Sequence, residues 1–209
     1  MALRKHELNT LIHFLPENTL EDVLYYLHTY KIHLIIRRDR KRILGDYRPA
    51  YQGKPHTISL NASLHPFHFL ITFIHEVAHL LTFLAHANRV APHGKEWKTS
   101  FAFLLQRFIE KKVFPKDIQT ALTRSIDNLA ASTCSDPHLF KVLKKYENNP
   151  DSVLVENIGI GKEFITEEGK VFKILSKRRT RYECVELVSG KKFLFPALYE
   201  VRIQQDLVK

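Results

Sequence analysis

Two histidines four residues apart, with a glutamate directly after the first, form the stretch of this chain best suited to do chemistry: His75-Glu76-Val77-Ala78-His79. On a helix, positions i and i+4 lie one above the other, about 6 Å apart. Both imidazoles can then reach a single metal ion while Glu76 stands beside it. That arrangement suits a zinc-activated water with a carboxylate as its base. The expected cofactor is one Zn2+ ion, with His75 and His79 as ligands and Glu76 as the catalytic base.

A third protein ligand has to come from elsewhere if one coordination position is to stay open to water. His68 and His86 share the stripe of the pair, but each is seven residues from its nearer member. That is about 10 Å along the axis, against a zinc–nitrogen bond of about 2 Å. A metzincin would need Gly at 82 and His at 85, where Thr82 and Ala85 stand. His93 and Glu96 remain as the two candidates. Asn88-Arg89-Val90-Ala91-Pro92 gives the chain a turn in which to double back before His93-Gly94 and a new helix at Lys95.

The motif at 75–79, the short spacer and His93-Gly94 with Trp97 three residues on resemble the SprT-like, Spartan-type zinc metalloprotease family over roughly residues 20 to 110. The resemblance implies a zincin-like domain, His93 as the third ligand beside His75 and His79, and Glu76 as the base. Eukaryotic members degrade proteins crosslinked to DNA, a role that does not carry over with the motif alone. Bacterial relatives often end in a zinc ribbon; here Leu187 stands where the second cysteine of a knuckle would follow Cys184, and no upstream cysteine pair exists.

The elements that must position these groups follow from periodicity. Phe69, Leu70, Phe73, Ile74, Val77, Leu80, Leu81 and Leu84 make one broad apolar face of the metal helix. A short helix from Glu7 to Phe14 and a second one opened by Thr19 with Asp22 as a capping pair precede it. The period then changes to two over Ile32 to Ile36, Arg42 to Arg48 and His56 to Asn61, read as a three-stranded antiparallel meander with a hairpin tip at Asp39. In that reading the tip arginines point to solvent. The third strand, with Thr57, Ile58, Ser59 and Leu60, is the expected open edge on which an extended peptide substrate could pair. Trp97 to about Lys112 forms the second metal-site helix, with Trp97 packing under the ligand loop. Helices from Lys116 to Ala131 and from Asp136-Pro137 follow.

Asn148-Asn149-Pro150-Asp151-Ser152 marks the domain boundary. The expected organisation is a metalloprotease domain over 1–148 and a small β-rich subdomain over 149–209, α+β overall. Strand signals at 153–158, 163–166, 171–175, 182–188 and 192–195 predict metal-free, ribbon-like antiparallel hairpins around Phe164, Phe172, Tyr182, Phe193 and Phe195. Cys134 and Cys184 are too few for a disulfide framework and read as buried thiols.

The 209 residues are 44% hydrophobic, enough for a sizeable core. The N-terminus lacks a signal-type apolar segment, and no apolar run reads as membrane-spanning, so the expectation is a cytoplasmic protein without a membrane partner. The net charge of +10 raises DNA as a partner beside a protein or peptide substrate. Its densest runs are Arg37, Arg38, Arg40, Lys41 and Arg42, and Lys177, Arg178, Arg179 and Arg181. The rival reading is a basic nucleic-acid-binding module whose zinc is structural.

Overall fold

The metal helix begins where proline allows it to and ends where the backbone turns left-handed. The computed structural model describes residues 10–38, 40, 43–127, 136–147 and 152–203. In it, His65 caps a helix over Pro66–His86 by accepting from the Phe67 N–H at 3.4 Å, with Pro66 at the first helical position. Ala87, at φ 53°, stops it. By length and composition this helix could cross a bilayer, contrary to the expectation that no run in the chain approaches that. Most of it is packed inside its unit.

The chain divides into two compact units, Met1–Glu147 and Asn148–Lys209. In the first, the α-helices are α1 (Leu20–Thr29), α2 (Pro66–His86), α3 (Lys95–Glu110), α4 (Lys116–Asp127) and α5 (Pro137–Lys144), and the strands are β1 (His33–Arg37), β2 (Gly45–Arg48) and β3 (Thr57–Asn61). Of the expected first helix, Glu7 to Asn9 lie outside the described residues, and Ile12–Phe14 is a 3-10 turn. Thr19 makes no cap to α1; its hydroxyl donates instead to the Pro16 carbonyl at 2.6 Å. Asp136 does cap α5, accepting from the His138 and Leu139 N–H groups at 2.8 and 3.4 Å. Residues 128–131 of the helix expected from Lys116 to Ala131 and the boundary residues 148–151 also lie outside the description.

The sheet is mixed, in the order β1-β3-β2, and not the antiparallel meander expected. β1 runs parallel to β3, Arg37 opposite Asn61, and β2 runs antiparallel to β3, Gly45 opposite Leu60. The connection from β1 to β2 therefore passes over the end of β3 rather than closing a hairpin at Asp39. A period of two identifies a strand but says nothing of its neighbour. β3 is consequently the central strand, and Ile58, Ser59 and Leu60 are buried. The edge beside α2 is β2. Phe69, Phe73, Ile58, Leu60, Leu104 and Ile118, all nearly or wholly inaccessible, make the centre of one core joining helices to sheet. Burying each such side chain contributes about 1.5–3 kcal/mol.

In the second unit, strands β4 (Ser152–Leu154), β5 (Glu163–Ile165), β6 (Val171–Lys177), β7 (Arg181–Glu186), β8 (Lys192–Pro196) and β9 (Glu200–Ile203) form one antiparallel sheet, ordered β4-β9-β5-β6-β7-β8. β9 was not foreseen from its short pattern, and Val155–Asn157 is a 3-10 turn rather than strand. Phe164 and Phe172 pair across β5 and β6 with ring centroids 5.6 Å apart, and Phe195 meets both edge-on. Cys184 is a buried free thiol in this core.

Candidate metal centre

One helical turn brings His75 and His79 together, and the turn after α2 delivers the third imidazole. His93 sits at φ 58°, a left-handed conformation that costs a β-carbon-bearing residue of order 1 kcal/mol and aims its ring back at α2. The next residue has to be small, because a Cβ on Gly94 would stand 2.9 Å from the Ala91 carbonyl oxygen, to which the Gly94 N–H donates. The result is a near-equilateral triangle of Nε2 atoms: 3.2 Å from His75 to His79, 3.0 Å from His79 to His93 and 3.1 Å from His93 to His75. Around a tetrahedral ion with bonds of about 2.0–2.1 Å, nitrogen ligands lie about 3.3 Å apart. The donor set therefore fits such an ion and leaves a fourth position.

Protonation agrees with that fit. Burial, and then the charges of neighbouring imidazoles, push His75 down to about 3 and His79 to about 4. His93 is lowered in the same direction by burial and by Lys98. Neutral imidazoles present lone pairs, which a metal requires. Beneath them lies Trp97, 1% exposed, with its ring centroid 4.6 Å from that of His75 and 5.3 Å from that of His79. It is itself stacked on Phe101 at 5.1 Å. Among the described residues, only His75, His79 and His93 gather three metal-binding donor atoms this closely.

Glu76 occupies the neighbouring stripe of α2, 5% exposed, against the start of β2. A Cβ on Gly45 would stand 2.6 Å from Glu76 Oε1 and 2.7 Å from the Thr72 methyl, so only glycine leaves the carboxylate its seat. Burial pushes the Glu76 carboxyl up to about 8; the charge of Asp46 adds to this, while Arg40 and a hydrogen bond donated by the Tyr47 N–H oppose it. Gly45, Tyr47 and Arg40 were not read from the sequence as parts of this site. Only the crossing connection, which no local pattern signals, brings them there.

The family model described as SprT-like matches residues 17–115, a stretch holding α1, the sheet, α2, His93 and α3. The match covers just under half of the chain and is consistent with a SprT-like domain over those residues. No curated protein and no solved structure matches the chain.

The other residues singled out from the sequence fall in various places. Within the SprT-like domain, the Glu96 carboxylate lies near Gly94, outside the group of converging donor atoms. His68 lies at an ion-pair distance, 3.6 Å, from Glu147, which is long for a hydrogen bond. Thr57, Ile58, Ser59 and Leu60 have β1 on one side and β2 on the other, so their backbone offers no open edge. Arg37 and Arg38 are exposed, and Lys41 and Arg42 lie outside the described residues. Arg40, expected in solvent, folds back onto β3. An open groove of about 660 Å³ lies between the end of α1, the 50–56 turn and Leu84. At 100° per residue, Leu84 is roughly 160° round α2 from the stripe of His75 and His79, so this groove is not the metal site. In the second unit, Arg178 is paired with Glu183, Lys177 lies over the Tyr182 ring at 5.7 Å, and Arg179 and Arg181 are exposed.

Proposed function

We propose that the SprT-like domain is a zinc-dependent metalloendopeptidase with a zincin-like site. The observation that carries this reading is the triangle of three neutral imidazoles with a buried carboxylate on the adjacent stripe of the same helix. His75, His79 and His93 would hold the ion, which supplies a Lewis acid able to polarise a carbonyl and to make a water acidic near neutral pH. Glu76 takes a proton from the attacking water and hands it to the departing amide nitrogen. Arg40 and the Tyr47 N–H favour its anionic, proton-accepting form against the effect of burial.

For the substrate, the supporting feature is β2. Among the described residues it pairs only with β3, and its Gly45 and Tyr47 touch the base, so an extended peptide laid along its free edge passes the carboxylate. Main-chain pairing takes peptides of many sequences, which suits an unfolded protein or one held on DNA. The net charge of +10 and the exposed Arg37, Arg38, Arg179 and Arg181 favour the DNA-associated substrate.

The test is cleavage of an unfolded protein by the zinc-loaded chain, with and without single-stranded DNA, beside Glu76→Gln. Cleavage that DNA stimulates and that Glu76→Gln abolishes, with zinc retained, is the expected result. DNA-independent cleavage removes the DNA connection. DNA binding without cleavage leaves a nucleic-acid-binding module with a structural metal.

A further inference from the structure

The connection between β1 and β2 is fastened to the end of β3 by a two-residue clasp. Arg40, within that connection, donates from Nε to Asn61 Oδ1 at 3.0 Å, and its two terminal nitrogens donate to Ser59 Oγ at 3.0 Å and to the Ser59 carbonyl at 3.2 Å. Asn61 answers with its amide, donating from Nδ2 to the carbonyls of Arg40 at 3.3 Å and Ile43 at 3.0 Å. Its backbone N–H donates to the Leu44 carbonyl at 3.0 Å. Asn61 is 2% exposed and Ser59 3%, so these are bonds made in a largely desolvated place, where a lost partner is costly.

The residue that follows this fastened stretch is Gly45, the seat of the Glu76 carboxylate, and two residues later the Tyr47 N–H bonds the same group. A loop that slid by 1 Å would carry both contacts with it. The imidazoles, in contrast, come from α2 and from the turn before α3, and touch neither Arg40 nor Asn61 through any of these bonds. The clasp therefore bears on the base, and none of its own hydrogen bonds goes to an imidazole of the triangle.

We propose that Arg40 and Asn61 are positioning residues for Glu76, holding β2 at the distance from α2 at which the carboxylate can work. The inference rests on the reading of Glu76 as the base, and its test is chosen to separate the two. In zinc-loaded Arg40→Ala and Asn61→Ala, bound zinc should stay at wild-type stoichiometry. Hydrogen exchange at the Tyr47 amide should accelerate at least about tenfold relative to amides on the β1–β3 side of the sheet, and kcat should fall about ten- to hundredfold, the range expected of a misplacement near 1 Å. Arg40→Lys keeps the charge but only one arm of the fork, so it should restore part of the loss; it also carries the test should Arg40→Ala not accumulate folded. Unchanged Tyr47 exchange in the folded, zinc-loaded variants overturns the clasp, as does unchanged kcat. An inactive wild-type protein sinks the peptidase reading instead, and the exchange measurement then still decides the clasp.

Discussion

Trp97 meets His93 edge-on, ring centroids 4.7 Å apart and planes at 87°. One residue thereby floors the imidazole that arrives by a turn as well as the two that ride on a helix. Its indole Nε1 is buried and has no hydrogen-bond partner among the described residues. Trp97 thus contributes area and shape rather than a polar contact. Trp97→Phe should be tolerated within about 1–2 kcal/mol, with zinc affinity changed less than tenfold. Trp97→Ala should cost about 3–5 kcal/mol and lower zinc affinity well beyond that. Urea unfolding and competition with a chromogenic chelator read the two effects, and equal losses in both variants would contradict this account.

Removing the metal tests the triangle itself. A ligand that binds only the folded chain stabilises it by mass action, about 2.7 kcal/mol at a hundredfold excess over Kd. Wild-type protein should therefore melt several degrees lower in chelator than in zinc. His93→Ala, left with the two ligands on α2, should show little of that difference. A shift of the same size in His93→Ala would mean that His93 does not bind the metal.

Cys184 offers a check on the second unit. Burial pushes its thiol up to about 11, with the charge of Glu183 adding to it. The raised folded value makes its contribution to stability complete below the unfolded thiol's range near 8.5 and lost as pH rises towards 11. In a Cys134→Ser background, iodoacetamide at pH 8 should leave the native protein unmodified and alkylate Cys184 once urea is added. Rapid native labelling would show the thiol to be accessible.

What could be read from the sequence was what repeats locally. The spacing of His75 and His79 is a property of one helix. The turn around His93 is carried by Pro92 and Gly94, and the cap of α5 by Asp136 and Pro137. Strand neighbours are a different kind of fact. Ile32 to Ile36 alternates equally well beside β2 or beside β3, and the choice depends on packing against α2 rather than on the strand's own residues. Arg40 shows the same limit, since a run of basic residues looks like a solvated tip until Ser59 and Asn61 are folded beneath it. Gly45 reads as an ordinary glycine until Glu76 is seen to fill the space a side chain would take.

The order of the three strands also sets a sequence of events. β2 and β3 are joined by the short 49–56 turn and can zip locally, whereas Arg40 and Asn61 meet across 21 positions and β1 joins β3 over a similar span. Contacts that close larger loops form later on average. On the ribosome, Arg40 emerges well before Ser59 and Asn61, so an N-terminal fragment has nothing to fasten to. The seat of Glu76 is finished only when the whole sheet is assembled, so a nascent chain short of β3 has no fixed place for that carboxylate.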